Sequence, residues 1–297
     1  FIFFISSFGY SQMQRIQVEL DEIQRLRSEI PKDLLIERPD GSQVSMGRCG
    51  FVQLDNIAIN SDDVKQWRSA RSQSDSISIP IAFHVIYDPD NTNTNVSESN
   101  VAEQVNVLNT AYAPWGISFT LSSLDYTANS SWFWNDSEDQ YKSQLAINPS
   151  KTLNIYTTAA SGYLGYANLP SDYDEGNYLH GVVLSYETLT RLNDNSYDYN
   201  EGDTGVHEVG HYLGLNHTFS DGCSDTDIDG DGFIGDEVGD TPKQAMEGNI
   251  YICEEDDTCP NDPGVDPIYN YMNYVNDDCM YEFTNGQEER MKYMLDT

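Results

Sequence analysis

The segment HEVGHYLGLNH, residues 207–217, decides the fold of this chain. His207 and His211 are four residues apart, so on a helix their side chains project from one face about a turn from each other and can bind one ion. Gly214 lacks a Cβ atom and lets the chain leave the helix abruptly, so that His217 can return as a third ligand. The spacing predicts an active-site helix that carries a zinc ion on three imidazoles.

Glu208, next to the first of these histidines, supplies the predicted catalytic group. Three histidines leave the fourth coordination position of zinc open to water, whose pKa the metal lowers to roughly 7. Glu208 takes a proton from this water as it attacks a peptide carbonyl, and passes the proton to the leaving amine. The alternative, a helix whose histidines only pack, is disfavoured because three of the five histidines of the chain fit a complete ligand spacing. The motif predicts a zinc endopeptidase that acts on proteins or peptides.

The composition excludes two classes of partner. The chain has 49 Asp and Glu against 15 Lys and Arg, a net charge of −34, which repels nucleic acids and anionic membrane surfaces.

FIFFISSF at the start is apolar but too short to span a bilayer. We interpret residues 1–11 as the remnant of a signal peptide. We therefore expect a secreted, extracellular protein without a membrane span, and a monomer.

Residues 12–76 differ from the rest and are interpreted as a propeptide. Apolar residues at helical spacing predict a helix that ends before Pro31. The segment QWRSARSQSD, residues 66–75, is interpreted as an exposed linker. We expect the activating cut between about Asp62 and Ser76, near Arg68 and Arg71.

A compact domain is expected over residues 77–297. Alternating apolar residues over 77–87 predict a strand with one buried face, and Ser97 can cap a helix that ends near Pro114. Further strands are predicted in ISFTLSSL, LNIYTTA and GVVLSY, with an edge strand in GYLGYANLP and a capping box formed by Thr284 and Gln287 before the last helix. Strands mixed with a few long helices predict the α+β class.

The segment 207–217 resembles the metzincin motif HExxHxxGxxH. HTFSDGC, GDTP and NYMNYVNDDCMYEFTNGQEERM, which follow it, resemble the pappalysin family and especially its ulilysin-like members. The resemblance covers residues 77–297. It implies a metzincin-like zincin with a twisted mixed β-sheet and two helices in an upper subdomain (77–217) and a loop-rich lower subdomain (218–297). An extended peptide would bind in the cleft alongside the edge strand near Gly165 to Asn168.

The resemblance also gives roles to two residues after the motif. It implies that Met272 forms the Met-turn under the metal and that Tyr274 stabilises the oxyanion of the tetrahedral intermediate, as a phenol donor near a developing negative charge can do. Taken without the resemblance, both residues would be ordinary packing residues.

Five cysteines are present, four of them in one late segment. Four clustered cysteines in an exported protein predict two disulfides, and the sequence alone allows three pairings. The resemblance implies the pairs Cys223–Cys259 and Cys253–Cys279.

The fifth cysteine, Cys49, lies in the sequence Arg48-Cys49-Gly50. A thiolate is a good zinc ligand and would fill the position that water needs. The sequence is similar to the cysteine switch of pappalysin-family and other metzincin propeptides, which implies that Cys49 binds the zinc ion in a latent form. The alternative is a spare thiol that pairs with another molecule.

The acidic loop DTDIDGDGFIGDEVGD, residues 225–240, matches the sequence pattern of the first half of an EF-hand loop. It has Val238 at the position where that pattern requires a bidentate Glu. So many carboxylates would repel each other without a cation, and the family holds calcium in the corresponding segment. We expect one or two calcium ions, against the alternative of a solvated loop. The candidate ligands are Asp225, Asp227, Asp229, Asp231 and Asp240.

The residue before the last cysteine, Asp278, corresponds to an acidic residue that favours arginine after the scissile bond in ulilysin-like enzymes. A carboxylate at the floor of a pocket selects Arg or Lys through a charge-assisted pair. Asp277 is adjacent, and the alternative is two rim carboxylates in an acidic protein.

Two other interpretations of the whole chain stay open. One is a catalytically inert calcium-binding surface or adhesion protein on the same scaffold, although an inert scaffold needs neither Glu208 nor Cys49. The other is an enzyme of a different metzincin family.

Overall fold

The computed structural model describes residues 21–37, 43–52, 61–70, 76–134, 137–189, 199–226, 234–246 and 250–296. The expectations for the signal remnant, residues 1–11, and for Asp227, Asp229 and Asp231 lie outside these ranges. In the described part of the chain, no helix has both the length and the apolar character that crossing a bilayer requires.

The amino-terminal segment, by which we mean the described residues before 71, contains two helices and a small hairpin. Residues 21–29 are helical (α1), as the apolar spacing predicts. Strands β1 (Leu34–Glu37) and β2 (Gln43–Met46) pair antiparallel, and helix α2 spans Ser61–Ala70.

The main domain, residues 77–296, is built around a five-stranded mixed sheet with the strand order β4-β3-β5-β7-β6. The strands are β3 (Ile77–Tyr87), β4 (Ile117–Ala128), β5 (Leu153–Thr158), β6 (Gly165–Ala167) and β7 (Val182–Ser185). Neighbouring strands are parallel except for β6, which runs antiparallel to β7 at one edge. The predicted α+β class with a mixed sheet is confirmed, and so is the edge strand.

Strand β3 is buried on both faces, so the prediction of one buried face is wrong. Every residue from Ile81 to Ile86 is buried. The reason is its position between β4 and β5 in the parallel part of the sheet, where helices or other chain segments cover both faces. Phe83 and Val85 pack into the larger core, and Ile86 belongs to a second core on the opposite face.

The described residues of the main domain form five α-helices: α3 (Glu98–Tyr112), α4 (Ser130–Phe133), α5 (Glu138–Leu145), α6 (Asp203–Tyr212) and α7 (Asn285–Asp296). Ser97 caps α3 as predicted, since its hydroxyl accepts a hydrogen bond from the Asn100 N–H at 3.2 Å. Helices α3 and α6 pack in the larger core, where the Tyr112 hydroxyl donates to the Val206 carbonyl at 2.8 Å. This packing fixes α6, which carries the metal-binding motif.

Helix α2 is docked on α7, so residues 66–70 of the predicted exposed linker are helical; Gln66, Arg68 and Ser69 are exposed as predicted, whereas Trp67 is half-buried. The Trp67 indole N–H donates to Asp296 Oδ2 at 2.9 Å and its ring packs edge-on against Tyr293. Arg68 forms an exposed ion pair with Glu289 at 2.8 Å. A polar composition gave no sign of this contact, because one tryptophan supplies most of its apolar surface.

The lower part of the main domain, after His217, consists mainly of loops up to α7. Two disulfides join Cys223 to Cys259 and Cys253 to Cys279, the pairing that the family resemblance implies. The capping box before α7 is present, since the Thr284 hydroxyl accepts from the Gln287 N–H at 3.1 Å and Gln287 Oε1 accepts from the Thr284 N–H at 2.9 Å.

The amino-terminal segment lies in the cleft beside the edge strand. Gly47 forms backbone hydrogen bonds with Gly162 and Leu164, at 3.0 and 2.9 Å, in a parallel bridge. The Gly50 N–H donates to the carbonyl of Gly165, the first residue of β6, at 2.9 Å. Residues 47–50 therefore occupy the groove where the sequence predicts an extended substrate.

Candidate metal centre

Four potential ligands converge at the centre of the cleft. His207, His211, His217 and Cys49 are buried, and their ligand atoms all lie within 4.8 Å of one another. The Nε2 atom of His211 lies 3.2 Å from that of His207, 3.1 Å from that of His217 and 3.6 Å from the sulfur of Cys49. The sequence motif and the distant cysteine thus meet at one point.

These distances fit a tetrahedral zinc ion. Bonds of about 2.0–2.1 Å to nitrogen and about 2.3 Å to sulfur place tetrahedral ligands about 3.3 Å apart for two nitrogens and about 3.6 Å apart for a nitrogen and a sulfur. The chemistry of the donors agrees, since three imidazoles and a thiolate suit zinc.

Backbone carbonyls fix the tautomers of two ligands. The Nδ1 atom of His207 lies 2.7 Å from the Tyr271 carbonyl oxygen, and that of His211 lies 2.7 Å from the Leu215 carbonyl oxygen. A carbonyl only accepts, so both Nδ1 atoms carry the proton and both Nε2 lone pairs face the centre. Burial lowers the pKa of all three histidines, that of His211 to about 3, and so favours the neutral form that binds metal.

Gly214 turns the chain as predicted. Its φ of +94° lies in the left-handed region, and a Cβ atom there would also lie 2.6 Å from Met294 Cγ. The Gly214 N–H donates to the His211 carbonyl at 2.8 Å, which closes the last turn of α6. This turn returns the chain so that His217 faces the two histidines of the helix.

Met272 lies under the metal-binding helix, where the family resemblance places the Met-turn. It is fully buried, and its sulfur packs directly against Gly210, so closely that a Cβ atom at residue 210 would overlap it. The Met272 N–H donates to Asn270 Oδ1 at 2.9 Å, and the Asn270 side chain is held in turn by Gln287. Glycine between the two helical histidines is therefore a packing requirement.

Glu208 is fully buried beside the ligands. Its Oε2 lies 3.5 Å from the Cys49 sulfur, and its Oε1 has no hydrogen-bond partner among the described residues. Burial raises the pKa of Glu208 to about 8, against the opposing effects of Cys49, Arg48 and Arg27. A buried carboxyl with a raised pKa and an unsatisfied oxygen is typical of a catalytic acid or base.

Cys49 is placed at the centre by its neighbours in the chain. Phe51, two residues on, stacks on His211 with ring centroids 4.0 Å apart, and its N–H donates to the Cys49 sulfur at 3.3 Å. Burial raises the pKa of the Cys49 thiol well above its usual range, and the Glu208 carboxylate adds to the effect. Cys49 therefore ionises to a thiolate at this position only when a bound metal ion supplies a positive charge next to it.

Arg48 fills a buried pocket next to the metal centre. Its Nη1 donates to the Thr204 hydroxyl at 3.0 Å, and its guanidinium lies 4.9 Å from the centre of the Tyr199 ring. Met280 Sδ closes the pocket at 3.8 Å from Nη2. The position of Arg48 directly before Cys49 is the only sequence signal for this contact.

Asp277 and Asp203 are acidic residues on which the charge of Arg48 acts, and Asp277 is the more buried of the two. It is buried, its Oδ2 accepts a hydrogen bond from the Glu201 N–H at 2.9 Å, and the Arg48 charge opposes the rise of its pKa, which burial brings to about 6. Asp278, the residue predicted for the pocket, is exposed. The two neighbours lie in a short 3-10 turn and point in different directions.

Tyr274 lies against two of the ligands. Its ring packs edge-on against His217, with centroids 4.8 Å apart, and lies 6.0 Å from the ring of His207. Burial, together with the nearby Cys49 and Glu208, raises the pKa of its hydroxyl, so it remains a neutral donor. This position agrees with the role that the resemblance implies.

The two described candidates for calcium binding lie apart from the zinc ligands. Asp225 pairs with Lys243, which also pairs with Asp262 at 3.0 Å. Asp240 accepts a hydrogen bond from the Gly286 N–H at 2.9 Å. The structure therefore shows protein partners for both carboxylates.

A family comparison decides the identity of this centre. The family model described as pregnancy-associated plasma protein-A, of the peptidase M43 type, matches residues 136–296, which include all three histidines, Glu208, Met272 and Tyr274. This chain belongs to the pappalysin family of metalloproteases. The family match excludes the alternative of a different metzincin family.

Similar sequences are extracellular enzymes. This chain is 40% identical over 221 residues to an extracellular metalloprotease of Sordaria macrospora. The match covers 73% of this chain and 74% of the relative. It is 35% identical over 267 residues to one of Verticillium alfalfae, covering 84% of this chain and 91% of the relative.

Similar solved structures have the same fold. Mirolysin in complex with compound 9 gives a TM-score of 0.61 at 30% identity, covering 74% of this chain and 91% of mirolysin. A promirolysin mutant of Tannerella forsythia gives a TM-score of 0.60 at 29% identity, covering 78% of this chain and 86% of the promirolysin chain. The chain therefore has a mirolysin-like metzincin fold and is a zinc metalloendopeptidase with protein or peptide substrates.

Proposed function

We propose that this metalloprotease is a secreted zymogen, that Cys49 in its propeptide (residues 12–76) blocks the zinc site, and that Glu208 is the general base of the mature enzyme. The observation that carries the proposal is the position of Cys49, whose sulfur lies 3.6 Å from His211 Nε2 and within 4.8 Å of the ligand atoms of all three histidines. Residues 47–50 at the same time fill the groove beside β6. Removal of the propeptide opens both the metal and the groove.

The residues of the centre have distinct tasks in peptide hydrolysis. A bound zinc ion supplies a Lewis acid that polarises a peptide carbonyl and lowers the pKa of water. Glu208, which is buried beside the metal ligands, accepts the proton of the attacking water and returns it to the leaving amine. Tyr274 donates a hydrogen bond to the oxyanion. Met272 holds the floor of the site through its contact with Gly210.

We further propose that the mature enzyme prefers Arg or Lys after the scissile bond. Arg48 supports this, because the propeptide itself places a guanidinium in the pocket that contains Asp277, Thr204 and Tyr199. A pocket that accepts a buried arginine in the latent form has the charge and shape to accept one from a substrate. Asp277 is the proposed selecting carboxylate, in place of its exposed neighbour Asp278.

The remaining expectations also belong to this proposal. The loop of residues 225–240 binds one or two calcium ions, which its density of carboxylates favours. The protein acts outside the cell as a monomer, in line with its two disulfides and its extracellular relatives.

The test is digestion of a peptide library by the activated protein. Activity that a zinc chelator abolishes, that Glu208→Ala removes and that favours Arg or Lys after the cut is the expected result. The unprocessed chain should be silent and its Cys49→Ala variant active. A purified protein that binds no zinc, or an equally silent Cys49→Ala variant, would contradict the proposal.

A further inference from the structure

We propose that Glu138 and Tyr166 form a second substrate subsite, which takes a basic side chain of a residue before the scissile bond. In the latent form Arg27 of the amino-terminal segment occupies this subsite. The inference rests on the proposed function, because Arg27 must leave with the propeptide before a substrate can bind.

The subsite is built from buried groups of the main domain. Glu138 is 2% exposed; its Oε2 accepts from Arg27 Nη1 at 3.1 Å, and its Oε1 lies 2.8 Å from Lys142 Nζ. The Arg27 guanidinium lies 3.7 Å from the centre of the Tyr166 ring. A carboxylate and an aromatic face are the two groups that bind a guanidinium most strongly.

Glu138 is charged in this environment and can hold two cations. Burial opposes its ionisation, but the charges of Lys142 and Arg27 outweigh this effect and lower its pKa. Lys142 also donates to the Leu179 carbonyl at 2.9 Å, which holds it at one carboxylate oxygen. When Arg27 leaves, the other oxygen loses its donor, and the Tyr166 ring loses its nearer cation and keeps only Lys142, 5.9 Å from the ring centre. A basic side chain from a substrate would restore both contacts.

The location of the Arg27 subsite relative to the metal centre follows from the path of the amino-terminal segment. Arg48 enters its pocket on one side of Cys49, and Gly50 follows on the other side, where its N–H donates to Gly165. The Arg27 Nε donates to the carbonyl of this same Gly50 at 2.8 Å. The two arginines therefore flank the metal on opposite sides. Since the Arg48 pocket takes the residue after the scissile bond, the Arg27 subsite faces residues before it.

The subsite is accessible from solvent without unfolding of the sheet. A cavity of about 280 Å³ lies beside it, lined by Glu138, Ser161 and Tyr163 of the main domain together with Arg27 and other residues of the amino-terminal segment. Release of that segment widens this cavity into the groove along β6. A long side chain can then reach Glu138 as the side chain of Arg27 does.

The test uses mature, self-processed enzyme and peptides with Arg fixed after the scissile bond. Each of the four preceding positions in turn carries either Arg or citrulline, which has nearly the same shape but no charge. At one position we expect kcat/KM for Arg to exceed that for citrulline by roughly tenfold to hundredfold, the range of a charge-assisted hydrogen bond. A ratio near one at all four positions overturns the inference.

Variants assign the effect to its residue. Glu138→Gln should bring the ratio to near one and leave the preference after the scissile bond unchanged. Asp139→Asn, which removes a neighbouring carboxylate that bonds the Tyr178 hydroxyl instead, should keep the ratio. A Glu138→Gln enzyme that retains the preference overturns the assignment.

The measurements distinguish three failures: a variant that does not fold, an incorrect subsite and an incorrect proposed function. Glu138→Gln leaves Lys142 buried without its counter-charge, so a double variant with Lys142→Met is the second form to measure. If both variants fail to fold, the comparison of Arg with citrulline in the unaltered enzyme decides. An enzyme that cleaves before Arg but ignores the preceding residues overturns only the subsite, whereas no cleavage of any peptide refutes the proposed function.

Discussion

Replacement of Arg27 by alanine should loosen the amino-terminal segment without touching the metal. The substitution removes two charge-assisted hydrogen bonds, to Glu138 and to the Gly50 carbonyl, and the contact with the Tyr166 ring. Each such bond contributes about 1.5–3 kcal/mol, and a desolvated cation–π contact about 2 kcal/mol. Since burying a guanidinium costs several kcal/mol, we expect a net loss of about 2–4 kcal/mol.

The assay measures how often Cys49 becomes accessible. A Glu208→Ala background prevents self-cleavage, and Cys49 is the free cysteine, since the other four are paired in disulfides. The rate of its modification by a thiol reagent, read by mass spectrometry, follows the population of the open form. A loss of 2–4 kcal/mol corresponds to a roughly 30- to 700-fold faster reaction.

The matched control is Arg25→Ala on the same helix. Arg25 is exposed and pairs with Glu22 and Glu29 of its own helix, so its loss should leave the rate of modification nearly unchanged. Equal rates for the Arg25 and Arg27 variants would refute the reasoning, because they would show that the buried ion pair does not hold the segment in the cleft.

Three further predictions concern the centre and its pocket. Cys49→Ala should give measurable peptidase activity in unprocessed protein; a variant as silent as the parent would speak against the switch. Burial raises the pKa of Asp277 to about 6 while the charge of Arg48 opposes the rise, so in the mature enzyme, which lacks Arg48, Asp277 should lose its charge at about pH 6 or higher. The ratio of kcat/KM for Arg to kcat/KM for citrulline after the scissile bond should therefore decline as the pH is lowered through this range; a ratio independent of pH would count against Asp277. Gly210→Ala should displace the Met-turn and lower stability by about 1–3 kcal/mol, the usual cost of overpacking, and an unchanged thermal unfolding midpoint with full zinc content would contradict the packing argument.

The metal centre could be predicted because its signals are local. The spacing of the histidines and the turn at Gly214 lie within eleven residues, so backbone geometry alone brings the ligands together. The prediction for the distant Cys49 combined the affinity of thiolates for zinc with a resemblance to the cysteine switch, and a spare thiol was the alternative. The disulfide pairing came from the family resemblance, because spacing allowed three solutions.

Other features depend on tertiary contacts that no local pattern encodes. The burial of β3 on both faces follows from its central place in the sheet, and the docking of α2 depends on one tryptophan that meets a helix more than 200 residues away. Asp277 and Asp278 are neighbours of the same type, so only the direction of the turn separates a pocket residue from an exposed one. Arg27 looked like a polar residue of an amphipathic helix, and its partner Glu138 lies 111 residues away.

The docking of α2 on α7 has a consequence for the timing of maturation. A processing protease binds its target as an extended strand, and Arg68 lies inside a helix that Trp67 holds against α7. Cutting at this residue must wait until α2 detaches and unwinds, so its rate tracks the rare detached population. If the activating cut falls at Arg68, helix α7 therefore limits its rate, and a chain in which α7 has not yet formed would be cut there sooner.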